Sequence, residues 1–221
     1  MKPSFSLLVL LPTLFFLIRA ELLDRQLQVY VLKPLATLIV IAVAVLSFAA
    51  PNHNLLYSMG VLIGLLFSLG GDIALMFQQN RKAFMIGLIF FLLAHIAYTL
   101  IFSLWGRFTT WDILSAMVLF TAAALFYRLI HSGLANMKTP VIIYMVIISA
   151  MVHRATASFA SPVFSKHQAA AIIGGALLFY MSDIVLAANR FWKPLKYHRL
   201  SLALYYSGQW LIAWSASGFA A

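Results

Sequence analysis

The run Leu55-Leu-Tyr-Ser-Met-Gly-Val-Leu-Ile-Gly-Leu-Leu-Phe-Ser-Leu-Gly-Gly-Asp-Ile-Ala-Leu-Met-Phe77 carries one charged residue, Asp72. It is long enough to cross a bilayer, which takes roughly 20 apolar residues. It is also apolar without alternation, which separates a membrane helix from a barrel strand. The rest of the chain follows suit: 64% of it is hydrophobic and only 9% charged, whereas soluble domains are about a quarter charged. Working outward, eight such segments are expected, at 4–18, 34–49, 55–77, 83–102, 112–130, 140–158, 168–188 and 200–218. The expected fold is all-α: a polytopic membrane protein, an eight-transmembrane-helix bundle in one transmembrane domain, 1–221.

The absence of cysteine excludes disulfides, thiolate nucleophiles and cysteine-bound zinc. A net charge of +10 raises nucleic acid as a partner, but the basic residues are scattered through short loops and form no stripe. Topology explains them better. The first, third, fifth and seventh connections, with Arg128 at the end of the fifth segment, hold 11 of the 15 Lys and Arg residues. The positive-inside rule then puts Arg81-Lys82 and the segment from Arg190 to Arg199 in the cytoplasm and both termini outside. Lys2 before an apolar run resembles a signal peptide, yet Arg19 precedes the only plausible cleavage point, so a retained first helix is expected.

The opening stretch has an echo. Gly64-Leu-Leu-Phe-Ser-Leu-Gly-Gly-Asp-Ile-Ala-Leu75 aligns with Gly175-Ala-Leu-Leu-Phe-Tyr-Met-Ser-Asp-Ile-Val-Leu186 at an offset of 111, half the chain. Either the chain consists of two parallel four-helix repeats, 1–110 and 111–221, or a Leu-rich alphabet has produced the match by chance. In both cases Asp72 and Asp183 share a depth, about one and a half turns from the cytoplasmic boundary.

A carboxylate at such depth costs at least ~2.5 kcal/mol on insertion scales, so it faces a cavity or a partner. Behind Asp72 in steps of four lie Ser68, Gly64 and Gly60, a stripe that admits a close neighbouring helix. Tyr180, Phe179, Ala176 and Gly175 share the face of Asp183. One reading pairs each aspartate with a nearby base as a buried bridge or helix-end anchor. The other makes them a working pair. Lys33, expected at the start of the second helix, either snorkels to lipid phosphate or binds a substrate phosphate. His95 and Tyr98 lie three apart on the fourth helix, His95 being a satisfied core histidine or a site residue. Tyr205, Tyr206 and Gln209 add polar groups to the eighth, while Trp210 and Trp214 read as packing aromatics. No histidine pair has metal-ligand spacing within a helix, so neither a metal nor another cofactor is expected.

Tyr30-Val-Leu-Lys-Pro34, Gly70-Gly-Asp-Ile-Ala-Leu75, Ala94-His-Ile-Ala-Tyr98, Phe179-Tyr-Met-Ser-Asp183 and Tyr205-Tyr-Ser-Gly-Gln209 together resemble the YhhN-like lysoplasmalogenase family, over nearly the whole chain. That resemblance implies a membrane hydrolase acting on ether bonds. It would cleave the vinyl ether of lysoplasmalogens to a fatty aldehyde and glycerophosphoethanolamine or glycerophosphocholine. It marks Asp72 and Asp183 as the catalytic pair, with Lys33, His95, Tyr98, Tyr180, Tyr205, Tyr206 and Gln209 as candidate pocket residues. The expected partners are lysophospholipid and membrane lipids, and the expected location is a bacterial inner membrane. The chemistry suits two carboxyl groups in unlike environments: one protonates the alkene, and the other assists water in capturing the oxocarbenium ion. A small proton-coupled transporter is the alternative, since paired membrane acids also suit alternating access. A non-catalytic lipid-binding scaffold is a third reading, which leaves the acids unexplained.

Overall fold

The computed structural model describes residues 3–50, 53–196 and 198–217; Lys2 and the expected end of the last segment at 218 lie outside them. Eight α-helices are present among the described residues, and no strand. They are α1 (Leu7–Leu22), α2 (Gln26–Ser47), α3 (Leu55–Leu75), α4 (Arg81–Trp105), α5 (Thr110–Ile130), α6 (Lys138–Thr156), α7 (Lys166–Phe191) and α8 (Leu200–Ser215). Polar caps set several boundaries. The Asn54 side chain accepts from the Tyr57 amide at 3.0 Å, Asn80 accepts from Lys82 at 2.8 Å, and Ser165 with Gln168 forms a reciprocal capping box on α7. Each satisfies amides that the first turn leaves without partners.

Six helices, α2 to α7, are long and apolar enough to cross a membrane. The expected count of eight helices therefore holds, but the count of spans judged by length and composition is six. α1 and α8 have 16 residues each, a rise of ~24 Å against a hydrocarbon core of about 30 Å. α1 stops where Asp24 takes a left-handed φ of 51°. α8 starts only after the Pro194 segment.

A second correction concerns α2, which begins at Gln26 and carries Pro34 inside it, where the sequence suggested a start at Pro34. A proline removes one helical hydrogen bond, a loss that packed membrane helices tolerate. Lys33 consequently sits two turns inside the helix and is buried.

Sequential helices pack on one another: α1 on α2, α2 on α3 and α3 on α4, then α5 on α6, α6 on α7 and α7 on α8. Two further pairings, α2 with α8 and α6 with α4, join the first four helices to the last four. Glycines make the tightest approaches. A Cβ on Gly64 would lie 2.3 Å from the Tyr98 ring, and one on Gly208 would lie 2.7 Å from the Gly175 carbonyl, so α3 seats on α4 and α7 on α8 nearly backbone to side chain or backbone. α5 is the outlier, burying only Asp112 and Ile130. Trp111 and Phe120 on it are 76% and 77% exposed, a surface suited to lipid and not to water.

Candidate active site

Asp72 is 2% exposed and fully engaged. Its Oδ2 accepts from Thr37 Oγ1 at 2.6 Å and from Tyr205 OH at 2.7 Å, while Lys33 Nζ lies 3.9 Å from Oδ1. Lys33 and Thr37 are four apart on α2 and so share a face. Tyr206, adjacent to Tyr205 on α8, donates to the Lys33 carbonyl at 2.9 Å. A cation and two hydroxyls thus surround the carboxyl group, the kind of partners that a buried acid inside a membrane needs.

Asp183 has different company. Its Oδ2 accepts from Tyr144 OH at 2.5 Å, and His95 Nε2 stands 3.9 Å away. His95 is fully buried, with its ring 4.6 Å from that of Phe179 and 5.3 Å from that of Tyr144. Neither ring nitrogen makes a hydrogen bond of ordinary geometry, and a buried donor or acceptor in that state costs about 1–3 kcal/mol.

Between the acids stand Phe91, Phe179 and Tyr205, ring edge to ring face, with centroids 5.1 to 6.0 Å apart. Tyr98 and Gln209 belong to a separate polar layer: Tyr98 OH donates to Gln209 Oε1 at 2.8 Å, and Gln209 Nε2 donates to Ser68 Oγ at 2.7 Å. They meet each other and do not touch the aspartates.

Two cavities adjoin at the site. Asp183, Tyr144, Tyr180 and Phe91 line a narrow apolar slot of about 60 Å³. Lys33, Arg190, His198, Arg199, Gln79 and Glu21 line a polar vestibule of about 570 Å³. Leu75, Leu186 and Phe191 border both. Leu75 lies one turn beyond Asp72 and Leu186 one turn beyond Asp183, so each aspartate helix lends one residue to the junction. Asp72 itself lines neither cavity; its partner Lys33 lines the vestibule. Lys82 is absent from the vestibule wall, while Arg190 is on it with its guanidinium over the Phe84 ring at 4.1 Å. Glu21 and Arg199 form an ion pair that separates the vestibule from a second polar cavity of about 370 Å³.

The offset of 111 recurs in this geometry. It relates Asp72 to Asp183, Lys33 to Tyr144, His95 to Tyr206, Leu75 to Leu186 and Tyr98 to its own hydrogen-bond partner Gln209. Each aspartate is served by the preceding helix of its own half and the last helix of the other.

Thr37 and Tyr144 are site residues that the sequence reading missed. Thr37 was legible one turn beyond Lys33. Tyr144 was legible through the offset from Lys33, which turns a conspicuous lysine into an inconspicuous tyrosine. The Glu21–Arg199 pair joins residues 178 apart and left no local signal.

The fold and site define a polytopic helical membrane protein with one buried carboxyl group, Asp72, and one part-buried, Asp183, beside an adjoining apolar slot and polar vestibule. The chain belongs to the YhhN family, whose sequence pattern it matches over residues 28–216. It is 30% identical over 159 residues to proteins named lysoplasmalogenase TMEM86A from Bos taurus and from Homo sapiens, a match covering 71% of this chain. The match spans 64% of each relative's length. No solved structure matches the chain.

Proposed function

We propose that the protein is a membrane-embedded lysoplasmalogenase, hydrolysing the vinyl-ether bond of a single-chain phospholipid to a fatty aldehyde and a glycerophospho head group. The observation that carries this reading is the pairing of carboxyl groups in unlike settings at a junction of apolar and polar space. Family membership and the named relatives support it. An amphipathic lipid lies with its phosphate in the vestibule near Lys33 and Arg190, its ether bond beside Leu75 and Leu186, and its chain toward the slot.

The carboxyl groups divide the work. Asp183, with no cation in contact, acts as the acid and delivers its proton to the alkene carbon β to oxygen. The π electrons form the new C–H bond and leave an oxocarbenium ion. Water adds to that ion as Lys33, which lines the vestibule, takes a proton from the water and passes one on to Asp72. The hemiacetal hydroxyl proton then returns to Asp183 as Asp72, again by way of Lys33, supplies the proton for the departing glycerol oxygen, which releases aldehyde and alcohol and restores both groups. Tyr144 orients Asp183, and His95 backs it at 3.9 Å.

The bundle is built from two parallel four-helix units, 1–110 and 111–221, whose equivalent positions have diverged into an acid half and a base half. Both ends of the chain lie outside a bacterial inner membrane, with the vestibule facing the cytoplasm, and α1 and α8 complete eight crossings.

Purified protein given a lysoplasmalogen and an ordinary acyl lysophospholipid tests the reading. Aldehyde from the first and no fatty acid from the second is expected; absence of aldehyde overturns it. A proton-coupled carrier is the second reading, favoured by Pro34, which interrupts α2 beside Lys33 as broken helices do in carriers. Lysolipid-driven proton flux in liposomes without aldehyde supports that reading instead.

A further inference from the structure

The slot has a second neighbour. Between α5 and α6 runs an apolar groove of about 430 Å³, within the roughly 300–1,000 Å³ typical of ligand sites. Ala116, Ala123, Ala124 and Ala150 leave its floor open, and Leu119 and Phe120 form its rim. It exists because α5 rests on α6 and hardly on anything else. Met145 lines both this groove and the slot that holds Asp183, next in sequence to Tyr144, which binds Asp183. The groove follows α6 from Ile142 to His153, a rise of ~16 Å, or about half of a ~30 Å hydrocarbon core.

We propose that this groove is the alkenyl-chain subsite, reached sideways from the bilayer, with Met145 as the movable partition between it and the slot. The inference rests on the function proposed above and adds the route and the seat of the chain. Three spaces in series match the polarity of one lysolipid: vestibule for the phosphate, slot for the ether bond, groove for the chain. The occupant keeps the orientation that it has in a leaflet, with its head at the vestibule and its chain along α6. The slot at about 60 Å³ admits little more than water, so the chain passes only when Met145 swings aside. An unbranched thioether makes that movement easy.

Two measurements test this. The first is photolabelling of the wild-type protein by a lysoplasmalogen with a diazirine near the chain terminus. Labelled peptides from α5 and the facing side of α6 are expected, and label confined to other helices overturns the proposal. The second compares kcat/KM for long-chain and short-chain lysoplasmalogens in Ala150→Phe and Ala123→Phe. Each is expected to lower the long-to-short ratio at least tenfold, the effect of displacing about two methylenes. Leu114→Phe, on the exposed side of α5, leaves the ratio unchanged. An unaltered ratio in both alanine variants, once folded, contradicts the subsite. If wild-type protein releases no aldehyde at any chain length while label still maps to the groove, the reaction assignment fails and the chain subsite stands.

Discussion

Removing one member of the Lys33–Asp72 pair leaves the other charge buried without its partner, and breaking such a pair costs about 3–5 kcal/mol. Lys33→Met is therefore expected to lower the melting temperature in detergent sharply, and Lys33→Met combined with Asp72→Asn to recover most of the loss; additive losses contradict a direct pairing. Tyr144→Phe deletes the hydroxyl that holds Asp183. It is expected to cut kcat roughly tenfold with KM and melting temperature little changed, and steady-state kinetics beside a thermal melt checks the split. At this scale the sequence was informative about the anomalies and silent about their partners. Asp72, Asp183 and Lys33 are legible because charges in an apolar run need a reason. Which acid meets Lys33 is not, because the contact spans two helices and Lys33 looked like a helix end until Pro34 proved internal to α2. The family resemblance groups Tyr98 and Gln209 with the acids; in the structure they hydrogen-bond to each other.

Among the helices, the pair α7 and α8 is set by a reciprocal glycine contact, Gly175 against Gly208. Gly208→Ala is expected to destabilise the protein by about 1–3 kcal/mol, since its Cβ would lie 2.7 Å from a backbone carbonyl that does not yield. Gly174→Ala, whose Cβ would meet only the Leu211 side chain at 3.6 Å, is expected to be neutral; equal melting temperatures for the two variants contradict the packing argument. Helix number and order were readable from apolar runs interrupted by polar and basic turns. Helix ends were less so, because hydropathy does not see that α2 continues through a proline, or that α1 and α8 are too short to match the other six.

Over the whole molecule, the first, third, fifth and seventh connections carry most of the basic charge, and the vestibule opens on that side, with Gln79, Gly133 and Arg199 from the third, fifth and seventh and Glu21 from the last turn of α1. The proposed orientation is open to a direct check because the chain has no native cysteine. Phe108→Cys, in the loop before α5, is expected to react with a membrane-impermeant maleimide in intact cells, and Gln79→Cys only after lysis; the reverse pattern turns the topology over. The offset of 111 was visible in the sequence as one aligned stretch and no more. In the structure it also relates Lys33, beside Asp72, to Tyr144, which binds Asp183, so the two carboxyl groups have different partners. That asymmetry underlies the central claim that the two aspartates perform separate and indispensable steps. Aldehyde release from a lysoplasmalogen by purified wild-type, Asp72→Asn and Asp183→Asn proteins, each with its folding verified by a thermal melt, tests it most directly. Both variants are predicted to lose activity by roughly 10²–10⁴-fold, the range for a positioned acid or base; near-wild-type aldehyde release by either folded variant contradicts the claim.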